Sequence, residues 1–145
     1  MKATVKWIDN AAFVGESESG HAFVMDGALE GGGRNLGPRP MEVVLLGTGG
    51  CSAYDVVTIL KKARQRVSDC RVEIDAERAE KEPRVFTRIH MHFVIKGSSV
   101  NPVHAKRAVE LSAEKYCSAS IMLGKTAEIT HDFEIVEDPL LTTTD

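Results

Sequence analysis

The chain has few cysteines, no excess of positive charge and no internal repeat. Its three cysteines among 145 residues are an odd count, too few for a disulfide framework, and this is typical of a reducing cytoplasm. A formal net charge of −3 gives no electrostatic reason to expect nucleic acid or an anionic membrane as a partner. We also expect neither a signal peptide at the N-terminus nor an apolar run long enough to span a bilayer. These absences predict a cytoplasmic protein.

The overall composition is that of an ordinary folded protein. Hydrophobic residues make up 43% of the chain and charged residues 27%, so disorder is not expected. A chain of this length can bury one hydrophobic core. We therefore predict a single domain over residues 1–145.

The hydrophobic pattern predicts an α+β fold with the order βββ-α-ββ-α-β, in which a mostly antiparallel sheet packs on helices. A glycine-rich loop over residues 27–39 separates the first strands from the first helix, and a second helix opens at Asn101-Pro102, reaches Tyr116 and has a short continuation through Leu123. Alternation of apolar and polar residues predicts strands over residues 2–9, 11–17, 20–26, 71–77, 85–96 and 126–136.

The first helix, over residues 40–66, is apolar around most of its circumference, which is typical of a central, buried helix. The glycines at 47, 49 and 50 are expected to weaken or kink it just before Cys51. Ser52 and Asp55 resemble a capping box that would restart the helix there.

The tripeptide Cys-Ser-Ala occurs twice, at Cys51 and at Cys117. A free cysteine is often only a small buried hydrophobe, but the matching settings and the flanking glycines favour a dithiol that works as a pair. Thiolates are stabilised near helix N-termini, which Ser118 or Ser120 would provide beside Cys117. Sequence alone leaves open whether the two meet, since a disulfide needs Cα atoms within about 7 Å. Cys70 lacks this context and is interpreted as a structural bystander.

Three segments carry a resemblance to a known family: residues 38–46, Gly49-Gly50-Cys51 and Tyr116-Cys117-Ser118. They resemble the OsmC/Ohr family of osmotically induced and organic hydroperoxide resistance proteins, and the likeness covers almost the whole chain. It is closest to an uncharacterised OsmC-like subgroup that carries Gly-Gly-Cys-Ser-Ala and Ser-Ala-Glu-Lys-Tyr-Cys-Ser. The resemblance implies an intertwined homodimer with two long central helices and active sites at the interface.

The resemblance also implies a chemistry. Cys51 would attack the O–O bond of an organic hydroperoxide, with hydrogen peroxide as a secondary substrate, and become a sulfenic acid. Cys117 would resolve it as a disulfide, which an external dithiol or lipoyl-type thiol would reduce. This resolution agrees with the general oxidation chemistry of cysteine. No metal and no organic cofactor are implied.

In this family an arginine and a glutamate hold the thiolate of the first cysteine. Glu42 is the candidate carboxylate, although Met41 stands where characterised members commonly carry glutamate. On an unbroken helix Glu42 and Cys51 lie about half a turn apart, so contact would need a kink or Glu42 from the partner chain. Otherwise Glu42 is a solvated glutamate favoured by the helix dipole. Arg39 is the candidate arginine, with Arg34 as the alternative; either is otherwise an ordinary surface charge.

Two other interpretations are weighed against a peroxidase. The pair His90-x-His92 has the spacing of metal ligands, but it lacks an evident third ligand and is better explained by a solvated strand face. The alternative function is a non-catalytic OsmC-like protein that binds a small ligand or serves in a stress response. Met41 and the uncharacterised subgroup favour it.

Overall fold

The computed structural model describes residues 1–141 and forms two compact units, Met1–Leu46 and Gly47–Asp145. The predicted α+β class is confirmed, and the order of strands and main helices is the expected one. The single domain over residues 1–145 stays a prediction, and its last four residues, 142–145, lie outside the described residues.

The first unit contains a three-stranded antiparallel sheet of β1 (Ala3–Asp9), β2 (Ala12–Ser17) and β3 (Ala22–Met25). A loop with one 3₁₀ turn, Leu29–Gly31, follows β3. The loop is organised by the buried carboxylate of Asp26, which accepts hydrogen bonds from the backbone N–H groups of Gly27 (2.7 Å), Arg34 (3.0 Å) and Leu36 (3.1 Å).

Helix α1 (Pro40–Lys62) is continuous through its glycines, and the expected weakening or kink before Cys51 stays a prediction. Gly49 lies in a close contact, because a Cβ there would lie 2.7 Å from Cδ1 of Ile74. The predicted capping box is wrong: Ser52 and Asp55 lie inside the helix, where no free N–H groups need a cap.

The helix ends at Lys62, four residues earlier than predicted. Arg64 adopts a left-handed conformation (φ 57°), and the N–H of Gln65 bonds to the carbonyl of Leu60 at 2.9 Å. This is the hydrogen-bond pattern of a Schellman C-cap. A positively charged residue in the left-handed position gives no strong stop signal, which explains the overlong prediction.

Burial of α1 follows one stripe, made of Thr48, Gly49, Ser52, Val56 and Leu60. Its opposite side is exposed in the single chain, in contrast to the expected helix sheltered most of the way round; Tyr54 is 73% exposed. By length and composition alone α1 is long and apolar enough to cross a membrane, which the sequence analysis did not expect. One such helix is weak support for a membrane span, since core helices of soluble proteins meet the same criterion.

The second unit contains a sheet of β4 (Arg66–Arg78), β5 (Phe86–Ser98) and β6 (Glu128–Glu137). Strands β4 and β5 are antiparallel, whereas β6 pairs with β5 in parallel. The strand pairs are mostly antiparallel, as predicted, and β6 is the exception because the helical segment between β5 and β6 returns the chain to the same end of the sheet. The central strand β5 supplies the core with Ile89, Met91, Phe93 and Ile95.

The connection from β5 to β6 contains α2 (Pro102–Leu111), one π-helical turn (Ser112–Tyr116) and α3 (Ser118–Leu123). As predicted, α2 opens at Asn101-Pro102, and Asn101 caps it by accepting a hydrogen bond from Val103 N–H at 2.9 Å. Cys117 itself is the N-cap of α3, so the prediction that Ser118 or Ser120 caps this continuation is wrong.

Candidate active site

The buried stripe of α1 places Cys51, Ser52 and Asp55 toward the segment that links α2 and α3. Cys51 and Asp55 are four residues apart, so their side chains share one face of the helix. Ser52 is buried, and Cys51 and Asp55 are half-buried.

The π-helical turn and the N-terminus of α3 place Cys117. Its backbone N–H bonds to the carbonyl of Ser112 at 2.8 Å, and its φ and ψ of −72° and 98° end the turn. Its sulfur then accepts a hydrogen bond from the N–H of Ser120 at 3.4 Å, as an N-cap does. The sulfur is thereby held at a fixed point, and Cys117 is fully buried.

Two serine hydroxyls surround the sulfur of Cys117. The hydroxyls of Ser52 and Ser120 each donate to it at 3.1 Å and lie 3.2 Å from each other. Hydrogen bonds to a charged acceptor are stronger than neutral ones, so this arrangement stabilises the thiolate form. The carbonyl oxygen of Thr48 also lies 3.9 Å from the sulfur and can accept from the thiol form, so the donors outnumber but do not exclude an acceptor.

The two cysteines have opposite ionisation preferences. Burial opposes ionisation of Cys117, but hydrogen bonds from Ser120 and Ser52, together with Cys51, hold its pKa below the ordinary value. Burial raises the pKa of Cys51, an N–H of Ala119 opposes this, and the neighbouring Cys117 and Asp55 raise it further. Of the two thiols, Cys117 is therefore the one that loses its proton more readily.

The sulfurs of Cys51 and Cys117 and a carboxylate oxygen of Asp55 all lie within 4.8 Å of one another. Asp55 also accepts a hydrogen bond from the hydroxyl of Ser112 at 3.3 Å. Both cysteines are free thiols. The fold thus brings together two cysteines that are 66 positions apart (117 − 51).

The other predicted site residues lie in the first unit. The N–H of Arg39 donates to the carboxylate of Glu42 at 2.8 Å, which caps the start of α1, and the guanidinium of Arg39 contacts Asn35. Arg34 forms an ion pair with Asp9. The proposed roles of Arg39, Arg34 and Glu42 at the thiol stay predictions.

The remaining cysteine and the histidine pair have local explanations. Cys70 is half-buried on β4, where burial and the charge of Asp69 raise its pKa to about 11. His90 pairs with Thr130 (2.7 Å), and His92 with Asp132 (2.6 Å) on the neighbouring strand β6. The hydrogen bond to Asp132 raises the pKa of His92.

Sequence reasoning missed Ser112 and Asp55 as neighbours of the thiols, and it assigned Ser52 and Ser120 to helix caps. The spacing of Cys51 and Asp55 on a helix was the available signal for Asp55. No local pattern indicates that Ser52 and Ser120 meet at one sulfur, because that contact depends on how α1 packs against α3.

Two free cysteines whose sulfurs lie within 4.8 Å of each other in an α+β fold define a dithiol protein. The chain belongs to the OsmC-like protein family, whose model matches residues 31–132. Protein YhfA of Escherichia coli strain K12 is 50% identical over 136 residues, which cover 94% of this chain and 98% of YhfA.

Solved structures agree with this assignment. A hypothetical protein from Aquifex aeolicus VF5 is 29% identical with a TM-score of 0.83, covering 94% of this chain and 96% of the other. An organic hydroperoxide resistance protein OsmC from Legionella pneumophila, described as a predicted redox protein, is 15% identical with a TM-score of 0.70 and coverages of 92% and 95%. At that identity the likeness to the Legionella protein shows the fold alone.

Proposed function

We propose that this protein is a thiol peroxidase that reduces organic hydroperoxides. Membership of the OsmC-like family supports a stress-related function. The observation that carries the peroxidase proposal is the approach of two free sulfurs to within 4.8 Å, one half-buried and one fully buried among hydrogen-bond donors.

The first chemical step is assigned to Cys51 because it is the more accessible of the pair. Cys51 transfers its proton to the neighbouring Cys117 thiolate and attacks the outer oxygen of the hydroperoxide. The O–O bond breaks, the alkoxide takes up a proton from solvent water and leaves as an alcohol, and Cys51 becomes a sulfenic acid. Arg39 and Glu42 are proposed to favour the Cys51 thiolate during this step.

In the second step Cys117 is the nucleophile, and the hydroxyls of Ser52 and Ser120 stabilise its thiolate. Cys117, ionised again, attacks the sulfur of the Cys51 sulfenic acid, and the S–S bond forms as the S–O bond breaks. The leaving hydroxide takes up the proton from Cys117 and departs as water. An external dithiol or lipoyl-type thiol then reduces the disulfide by exchange.

A cavity beside Asp55 supports an organic substrate. It has a volume of about 320 Å³ and is lined by Asp55, Thr58, Ile59, Lys62, Leu111 and Tyr116. The apolar side chains among these would bind an alkyl or aryl group by burial, which favours organic hydroperoxides over hydrogen peroxide.

We further propose a cytoplasmic homodimer. Apolar side chains are exposed on α1 and on the first sheet, where Leu46 is 65% exposed and Trp7 61%. Exposed apolar area of this kind is typical of a subunit interface. Light scattering coupled to gel filtration should give twice the mass of the chain, and a monomer at micromolar concentration would contradict the dimer.

The decisive experiment follows peroxide consumption by reduced protein in a stopped-flow instrument with cumene hydroperoxide. Cys51→Ser should abolish consumption, while Cys117→Ser, which also lacks the proton acceptor, should allow one turnover at a lower rate and then stall as a sulfenic acid. Cys70→Ser is the matched control and should behave as the parent. Intact-mass measurement should show the loss of two hydrogens on oxidation. Full activity of Cys51→Ser would end the mechanism.

The raised pKa of Cys51 favours one alternative, a non-catalytic protein that binds a small ligand beside Asp55. A thiol kept protonated reacts slowly with peroxide. A negligible peroxidase rate, together with a small molecule retained by the purified protein in native mass spectrometry, would decide for this function.

A further inference from the structure

We propose that Cys51, Cys117 and Asp55 form a binding site for a single thiophilic divalent cation, with Zn²⁺ as the chemical type. Their ligand atoms lie within 4.8 Å of one another. A tetrahedral Zn²⁺ with ordinary bond lengths separates its sulfur and oxygen ligands by about 3.6–3.8 Å. Side-chain rotations that close these distances by little more than about 1 Å complete the three-ligand set.

The backbone fixes these ligands before any ion binds. Cys51 and Asp55 are one helical turn apart on α1, the spacing that lets two side chains of one helix hold the same ion. Cys117 comes from the far side, where the π-helical turn and the N-cap of α3 fix its sulfur. Three ligands on rigid elements lower the entropic cost of binding.

Hydrogen-bond donors outside the ligand set orient its members. Ser52 and Ser120 donate to the sulfur of Cys117, and Ser112 donates to the carboxylate of Asp55. Donors of this kind hold metal ligands in position and tune the site, and their loss commonly lowers metal affinity by about 10–100-fold.

The charge of Cys51, Cys117 and Asp55 also favours the binding of a cation. With both thiols ionised the three ligands carry three negative charges in a partly buried place. Asp55 forms no ion pair with any described residue between 47 and 141. A bound divalent ion would displace the thiol protons and neutralise most of this charge.

The ligand types select the ion. Two thiolates and one carboxylate suit Zn²⁺ and related soft ions, whereas Mg²⁺ and Ca²⁺ require oxygen ligands. A fourth position is left for water or a small molecule, as in zinc sites with three protein ligands. Metal binding and disulfide formation exclude each other, since a disulfide has no thiolate to offer. The site goes beyond the proposed peroxidase and would exist without that activity.

The test uses reduced full-length protein, freed of reductant under anaerobic conditions, with Co²⁺ as a spectroscopic probe and Zn²⁺ in competition with a chromophoric chelator. We expect one ion per chain and sulfur-to-cobalt charge-transfer bands that Zn²⁺ abolishes. Cys51→Ser and Cys117→Ser should each weaken Zn²⁺ binding by at least about 100-fold, and Asp55→Asn by at least about tenfold. Cys70→Ser should bind as the parent does.

Two further measurements keep the test independent of folding and of peroxidase activity. Circular dichroism checks that each metal-free variant is folded, and the parent chain oxidised by diamide should lose Co²⁺ binding and regain it on reduction. The site is overturned if Co²⁺ gives no sulfur charge-transfer bands, or if folded Asp55→Asn binds Zn²⁺ as tightly as the parent. The peroxidase proposal is tested separately, by peroxide consumption in metal-free protein.

Discussion

Cys117 shows how single hydrogen bonds set the chemistry of a buried residue. A free buried cysteine is usually an inert apolar side chain whose burial raises its pKa. In this protein the hydroxyls of Ser52 and Ser120 reverse that effect. The two serines therefore help to decide whether the pKa of Cys117 lies above or below that of an ordinary thiol.

Removal of one of these hydroxyls tests the argument. Ser120→Ala should raise the pKa of Cys117, because a hydrogen bond to a charged group contributes about 1.5–3 kcal/mol. The ultraviolet absorbance of the thiolate, titrated in a Cys51→Ser, Cys70→Ser background, measures this pKa directly. In the parent background disulfide formation after peroxide should be slower.

The matched control for this change is Ser118→Ala, which removes an exposed hydroxyl from the same short helix. It should leave the thiolate titration unchanged. An equal titration curve for Ser120→Ala and the parent would mean that the hydroxyl has no electrostatic role. A fall in stability alone, with no change in the titration, would give Ser120 a purely structural role.

The buried carboxylate of Asp26 gives a pH-dependent prediction. Burial would raise its pKa, but three backbone N–H groups and the charge of Arg34 lower it overall. A carboxyl group with a lowered pKa in the folded state stabilises the fold above its unfolded pKa, and this contribution is lost as the pH falls through the folded value.

Asp26→Asn should therefore lower the Tm by several degrees at neutral pH, and the difference from the parent should shrink as the pH falls below about 4. Thermal melts across this range measure the effect. Glu30→Gln, an exposed change in the same loop, is the control and should follow the parent curve. A difference in Tm that stays constant with pH would show that ionisation of Asp26 does not contribute.

At the scale of elements, two glycines of α1 differ in how closely other side chains approach them. A Cβ at Gly49 would meet Cδ1 of Ile74 at 2.7 Å, whereas nothing lies within 4 Å of the corresponding position at Gly50. Gly50→Ala should stabilise the fold by about 0.5–1 kcal/mol through helix propensity. Gly49→Ala gains the same propensity but displaces Cδ1 of Ile74, the end of a side chain on β4, which costs about 0.5–1.5 kcal/mol when the side chain leaves its rotamer.

We therefore predict that Gly49→Ala is less stable than Gly50→Ala by about 0.5–1.5 kcal/mol, as measured by urea unfolding of the two variants. The two changes are one residue apart and chemically identical, so each is the control for the other. Equal stabilities would mean that the contact between α1 and β4 relaxes at no cost. A lower peroxidase rate in Gly49→Ala alone would further indicate that this contact positions Cys51.

The sequence predicts elements where periodicity decides them and fails where packing does. The alternation in residues 85–96 and the Asn101-Pro102 signal are local, and both elements occur where expected. The end of α1 depends on Arg64 in a left-handed conformation, which the residue type does not favour. The parallel pairing of β6 depends on the path of the whole connection, which no local pattern records.

The residues of the candidate site also fall into those that the sequence predicts and those that it does not. Cys51 and Cys117 were predicted as a pair from their repeated setting and from a family resemblance, and the structure brings their sulfurs together. The serines that tune Cys117 could not be predicted, since Ser112, Ser52 and Ser120 meet only after three helical segments have packed. A single sequence does not show which residues that are distant along the chain become neighbours in the fold.

At the scale of the whole molecule, oxidation of the dithiol has two opposing effects on stability. A bond between Cys51 and Cys117 closes a loop of 66 residues (117 − 51). The chain-entropy model gives a gain of about 4 kcal/mol for a loop of that length. The two hydrogen bonds from Ser52 and Ser120 to the thiolate are lost, which costs about 3–6 kcal/mol.

The two effects nearly cancel, so the oxidised protein should match the reduced protein in stability to within about 2 kcal/mol. Urea unfolding of the Cys70→Ser chain, reduced and after stoichiometric peroxide, measures the difference without interference from the third thiol. Cys117→Ser treated in the same way cannot form the bond and should show no change. A gain on oxidation of the full loop-closure value, about 4 kcal/mol, would mean that the hydroxyls of Ser52 and Ser120 contribute little to the stability of the reduced protein, so that Cys117 is held there as an ordinary buried thiol.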